Sequence, residues 1–143
     1  MQVIRPIRED DKPAWRNLWL QYLEFYKTEL SDAVTGQLFR RLIGEGGHFC
    51  LVAEREGQII GFVHALTHAS TWSIDDYCYL EDLFVDPSVR GKGTGRLLIE
   101  EVYKEADRRG CSRVYWHTDD DNTSARKLYD NVASLTNFVQ YRR

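Results

Sequence analysis

The stretch VDPSVRGKGTGRLLIEEV, residues 85–102, joins a hydrophobic run to a helical stripe through a turn with glycine at positions 91, 93 and 95. A strand that ends at Asp86 and Pro87 and a helix that begins near Gly95 leave Val89 to Thr94 as the loop over the helix N-terminus. There the first backbone N–H groups lack intrahelical partners and the macrodipole favours an anion. Glycine lets backbone approach a phosphate, because no Cβ stands in the way. Arg90, Lys92 and Arg96 add positive charge. Two readings remain open: a pyrophosphate grip, or a sharp turn with its cations in solvent. A Walker loop fits poorly, since Gly91-Lys92 is followed by Gly93 rather than Ser or Thr. A Rossmann fingerprint fits poorly, because the spacing is G-x-G-x-G after antiparallel strands.

The elements around this turn alternate. Val3 to Arg8 predicts a first strand, and Glu9, Asp10 and Asp11 lead into a helix with Pro13 in its first turn. Trp15, Leu18, Trp19, Tyr22, Leu23 and Tyr26 share one face of that helix at three- and four-residue spacing, the pattern of a core stripe. Ser31 or Asp32 caps a second helix with Leu38, Phe39, Leu42 and Ile43 inward, ended by Gly44, Gly46 and Gly47. The periodicity then changes. His48 to Arg55 and Gln58 to His68 read as a hairpin about Glu56-Gly57, and Tyr77 to Asp86 as a third antiparallel strand, with Ala69 to Asp76 as the connection. Leu97, Leu98, Val102, Tyr103 and Ala106 form the stripe of the helix after the glycine turn, and Gly110 stops it. Arg113 to Thr118 is a further strand, Asn122 or Thr123 caps a last helix over Ala125 to Val132, and Phe138 to Tyr141 offers a final strand. The expected class is α+β.

With 143 residues, 43% hydrophobic and 13% aromatic, the chain fits one domain over residues 1–143 that buries a core without disulfides or metal. Nineteen Lys and Arg against 22 Asp and Glu leave a net charge of −3. That balance argues against nucleic acid as a partner and agrees with a small cationic substrate. Cys50, Cys78 and Cys111 are odd in number and form no CxxC, so buried or partly buried thiols in a reducing cytosol are expected, with no metal site. MQVIRPIREDD is too polar for a signal peptide, and no apolar run reaches the roughly 18 residues of a membrane span. A cytoplasmic chain with no membrane partner is expected.

The run Arg90-Gly91-Lys92-Gly93-Thr94-Gly95 resembles the R/Q-x-x-G-x-G/A signature of the GNAT superfamily of N-acetyltransferases. It follows Leu83-Phe84-Val85-Asp86-Pro87, similar to the hydrophobic strand and D-P that precede that signature. Downstream, Asn122-Thr123-Ser124-Ala125-Arg126-Lys127-Leu128-Tyr129 resembles the second motif, an Asn, then Ala, then a Leu-Tyr or Phe-Tyr pair on the last helix. Two motifs in order are more specific than one, and the resemblance covers essentially the whole chain. Tyr79 to Val85 is similar to the Y-L-E-D-x-F-V strand of diamine acetyltransferases. The C-terminus is closer to the yeast histone, polyamine and D-amino acid branch, and short matches do not choose between the two.

The resemblance implies a mixed, mostly antiparallel sheet, splayed at the acetyl-CoA site, with about four helices on its faces. It implies acetyl-CoA as donor, its pyrophosphate on the amides of Arg90 to Gly95, with Arg96 beside them. The pantetheine arm would pair with the edge of Leu83, Phe84 and Val85, where a backbone N–H can polarise the thioester carbonyl. Asn122 would bond the pantetheine, and Ala125 or Lys127 would line the channel. Tyr129 stands where the family places the acid beside the sulfur; read alone, it is a core tyrosine on a helix face. Glu81 matches the carboxylate that takes the amine proton; otherwise it binds substrate or is a buried, paired carboxylate.

By strand alternation Asp82 falls on the opposite face from Glu81, unless a bulge alters the register. His64 and His68 lie along one strand face over roughly 13 Å, too far apart for a shared metal. They rank low, as do His48 and His117. Asp75, Asp76 and Asp119 to Asp121 border the acceptor mouth or merely lie in solvated loops, and Trp72 and Tyr77 wall it or are surface aromatics. A negative rim suits a small cationic amine, an amino acid or a lysine side chain. A non-catalytic acyl-CoA-binding module is the rival from another class, and the presence of both Tyr129 and Glu81 weighs against it. Relatives continue through a G-F segment and a last hairpin, for which Ala133 to Arg143 leaves too little chain. Either the sheet is a strand short or a neighbouring subunit covers that sheet edge, and a homodimer is expected.

Overall fold

The computed structural model describes residues 1–143. Five strands form one sheet in sequence order: β1 (Gln2–Pro6), β2 (His48–Arg55), β3 (Gln58–Ser70), β4 (Ser73–Val85) and β5 (Arg113–Tyr115). The first three pairings are antiparallel and the last is parallel. Helices α1 (Lys12–Phe25) and α2 (Asp32–Ile43) cover one face, and α3 (Thr94–Arg108) and α4 (Thr123–Val132) the other. This is the expected α+β arrangement of a mixed, mostly antiparallel sheet with four helices.

Each face has its own core. Trp15, Leu18, Trp19 and Leu23 of α1 and Phe39 and Leu42 of α2 pack on Val52, Phe62 and Phe84. Leu98, Ile99, Val102 and Ala106 of α3 pack on Leu51, Val63 and Leu80. Ile99 takes the core position expected of Leu97, which is exposed. Tyr26 and Ile43, expected inward, are also exposed, because each lies at a helix end where the stripe leaves the sheet. Arg5 ties β1 to the entry of α1 through two short bonds to Asp11, at 2.8 and 2.9 Å. That guanidinium holds the buried Asp11 carboxyl below the usual carboxylate range.

Several boundaries differ from expectation. β1 ends at Pro6, not Arg8, although the Ile7 amide still donates to the Cys50 carbonyl of β2 at 3.0 Å. The segment Ala69 to Asp76 is not a loose connection: β3 and β4 run on to Ser70 and Ser73 and leave Thr71 and Trp72 as the turn, with Trp72 exposed at its tip. β5 stops at Tyr115 instead of Thr118. Phe138 to Tyr141 forms no strand. Residues 134–143 have no regular structure, and Leu135, Phe138, Val139 and Tyr141 stay exposed. No strand lies beyond β5 to give that last segment a partner.

Candidate active site

β4 and β5 pair over Tyr77 to Tyr79 only. Beyond that point the edge of β4 has no neighbour on the β5 side, so the sheet splays open there. The amide of Asp86 bonds Ile60 of β3 at 2.8 Å, and strand alternation turns the Phe84 and Asp82 amides to β3 as well. The backbone groups of Leu83 and Val85 therefore face the open edge. Arg90 Nε donates to the Val85 carbonyl at 3.0 Å, while its guanidinium lies over the Phe84 ring. The Leu83 backbone groups and the Val85 amide are left without a partner in the protein; Phe84 turns its backbone to β3 and its ring into the core.

From the end of this edge the chain passes through a short 3₁₀ turn, Pro87–Val89, into the glycine loop. Gly91 and Gly93 have φ of 85° and 78°, the left-handed region where glycine is favoured. Gly95 allows a close approach instead: a Cβ there would lie 3.4 Å from Leu128 of α4. The backbone N–H groups of Gly91 through Arg96 make no hydrogen bond within the protein, and the first amide after them, Leu97, bonds the Gly93 carbonyl. The result is a run of unpartnered donors over a helix N-terminus, a cradle whose chemistry suits an anion. The cations around it differ in freedom. Arg90 is tied to Val85, Arg96 pairs with Glu100 at 2.7 Å, and Lys92 has no ion-pair partner.

A residue the sequence reading missed holds this loop. The Gln2 side chain accepts from the Thr94 hydroxyl and donates to the Lys92 carbonyl at 3.2 Å. Buried Thr94 thus anchors the cradle to β1, across 92 residues of sequence that no local pattern spans.

Asn122 caps α4 by accepting from the Ala125 amide and donates to Thr118 Oγ1. It and half-buried Ala125 lie at the helix start, and Lys127 is exposed. Two turns on, Tyr129 packs its ring edge-on against Trp116 at 5.4 Å, and its hydroxyl has no partner within the protein. Burial pushes the Tyr129 phenol above the usual tyrosine range, the neighbouring Tyr26 adding to the shift.

The pairing register of β3 and β4 settles the question of Asp82. His64 pairs with Asp82 and Ala65 with Leu80, so Glu81 is the extra residue of a β-bulge. The faces exchange parity there. Cys78 and Leu80 point to the α3 side before the bulge, and Leu83 and Val85 after it, which leaves Tyr79, Glu81, Asp82 and Phe84 to the α1 and α2 side. The expectation that Asp82 faces away from Glu81 is thus corrected: both carboxylates line one cleft of about 480 Å³ between α2 and the sheet. Glu81 is at the exposed mouth and makes no hydrogen bond within the protein. Its carboxyl is pushed above the usual range, first by desolvation against the sheet and then by the charge of Asp82.

His64, ranked low from sequence, is the buried hub beneath this pair. Trp15 Nε1 donates to His64 Nε2 at 2.9 Å. An indole N–H can only donate, so the ring proton is on Nδ1, which donates to Asp82 Oδ2 at 3.0 Å. The contact is a hydrogen bond from a neutral imidazole, not an ion pair. Tyr22 donates to Asp82 Oδ1 at 2.8 Å. Asp82 is therefore fixed from two sides while Glu81 is free. Asp119, Asp120 and Asp121 are exposed ahead of α4, with the Asp119 and Asp120 carbonyls accepting from Asn122 and Arg126. No group of His, Cys, Asp and Glu side chains has the geometry to hold a metal ion.

The profile of the acetyltransferase (GNAT) family matches residues 4–132. The chain is 40% identical to a D-amino-acid N-acetyltransferase of Saccharomyces cerevisiae, over 99% of this chain and 89% of that one. It is 32% identical to the thialysine N-epsilon-acetyltransferase of Mus musculus, over 88% of this chain and 79% of that one. Among solved structures, an aminoglycoside N-acetyltransferase in complex with CoA superposes with a TM-score of 0.87 at 22% identity, covering 100% of this chain and 94% of that one. That last likeness is one of fold.

Proposed function

The chain belongs to the acetyltransferase (GNAT) family, and on that premise we propose how its residues transfer the acetyl group of acetyl-CoA to the primary amine of a small acceptor. The observation that carries the reading is the run of unpartnered amides from Gly91 to Arg96, continuous with the open edge at Leu83 and Val85. A diphosphate satisfies the first and an amide-rich pantetheine arm the second. Acetyl-CoA supplies the activated acyl group. Lys92 neutralises phosphate charge, and Asn122, Ala125 and Lys127 border the arm.

An amine attacks only when neutral, and Glu81 takes its proton, directly or through one water. The negative oxygen that forms on attack is held by a backbone N–H of the open edge. The C–S bond then breaks, and the Tyr129 hydroxyl gives its proton to the departing sulfur. Asp82, held by His64 and Tyr22, sets a second carboxyl group beside Glu81 and so favours a cationic acceptor. Thiol release from acetyl-CoA, measured over a panel of polyamines, amino acids and lysine peptides, tests this reading. Acetyl-CoA binding with no thiol release on any of them overturns it.

A base must be ionised, so turnover falls as pH drops through the Glu81 pKa, which lies above the ordinary 4.5. Glu81→Gln is expected to lower kcat/KM about a hundredfold at neutral pH and to abolish that acid limb. A pH–rate profile that keeps the limb in the variant removes Glu81 from the role.

For the assembly, we infer a homodimer joined along β5. Its outer edge is unpaired, and the apolar Leu135, Phe138, Val139 and Tyr141 of the C-terminal segment are exposed. Sedimentation is expected to give a dimer at micromolar concentration, and a monomer alone rules the inference out.

A further inference from the structure

The cleft that holds Glu81 and Asp82 has an opposite wall of different character. α2 lines it with Val34, Gln37, Leu38 and Arg41, at the three- and four-residue spacing of one helix face. The ion pairs of the chain use other cations, and the Arg41 guanidinium makes no hydrogen bond within the protein. Its neighbour Arg40 donates to Gln37 Oε1, which leaves the Gln37 amide N–H groups free. His48, at the start of β2, completes this side of the cleft. One wall thus offers only acceptors and negative charge, and the other offers donors and a fixed positive charge. A simple polyamine satisfies the first wall and is repelled by the second.

We propose that Arg41, assisted by Gln37, binds a carboxylate of the acceptor and so makes this chain selective for amino acids over amines of the same shape without the acid group. The proposal rests on the transferase reading above, since Glu81 must face the acceptor amine for Arg41 to face its other end. Arginine suits the task because its planar fork presents two N–H groups to the two carboxylate oxygens. Loss of a charge-assisted contact of this kind lowers affinity by about 10- to 100-fold.

The test compares acceptors that differ only by the carboxylate: phenylalanine, each enantiomer separately, against 2-phenylethylamine, and lysine against 1,5-diaminopentane. The unsubstituted chain is expected to favour an acid-bearing member at least about tenfold in kcat/KM. Arg41→Ala is expected to raise KM for that member about 10- to 100-fold with kcat nearly unchanged, to bring no loss on the decarboxylated amine, which is relieved of a like charge, and to be partly rescued by Arg41→Lys. Equal losses on both members of a pair, or preference for the decarboxylated amine, overturn the proposal. Turnover of lysine peptides alone overturns it and leaves the transferase reading standing. No turnover of any amine overturns both. Arg41 is exposed at the helix surface, so its variants are expected to keep the thermal stability of the parent chain.

Discussion

A chain carrying Gly93→Val is expected to lose affinity for CoA by at least about a hundredfold while keeping its fold. Gly93 has φ of 78°, and a β-branched residue in that region is strained by about 1–2 kcal/mol. The chain can relieve the strain by turning the local backbone, which aims the adjoining amides away from the diphosphate. If it does not, the side chain stands where the anion must come. No atom lies within 4 Å of a Cβ at this position, so the damage is confined to the cradle and the core is untouched. Gly95 is a less clean site, because its substitution would also press on Leu128 and move α4. Calorimetric titration with CoA, together with a thermal melt, separates lost binding from lost folding. Affinity surviving within about threefold would remove the pyrophosphate from this loop.

Tyr129→Phe is expected to lower kcat by about a hundred- to a thousandfold and to leave CoA affinity within about twofold. The hydroxyl has no partner in the protein, so its removal breaks no internal bond, and the ring that packs on Trp116 remains. The two effects are therefore separable by measuring kcat and the CoA Kd on one preparation. The pH dependence adds a second readout. An acid must be protonated, so turnover falls as pH rises through the Tyr129 pKa, which burial places above the ordinary 10.0. The variant is expected to lack that alkaline limb. Turnover equal to that of the unsubstituted chain would remove Tyr129 from the chemistry.

What could be read from sequence was what local pattern determines. The glycines at 91 and 93 stand in a loop that needs positive φ, and the stripes at Trp15 to Leu23 and Leu98 to Ala106 pack as cores. Contacts made across the fold were not legible. Gln2 reaches Thr94 from another strand, and His64 becomes a hub only because Trp15 and Asp82 approach it from α1 and β4. Strand alternation assigned Asp82 to the wrong face because one extra residue in the ladder leaves no mark in composition or period. The alternating apolar residues from Phe138 to Tyr141 read as a strand, yet a strand needs a partner, and residue pattern does not supply one.

The bulge at Glu81 also makes the acid pair a matter of chain length. From Gly61 to Leu66 the ladder takes five steps on β3, and from Tyr79 to Val85 it takes six on β4. A gene one codon shorter here could keep each of those rungs and encode one acid in the cleft instead of two. A descendant could then change the charge of this cleft by a single deletion, with no residue substituted, and an alignment that absorbs the gap as noise would overlook the event.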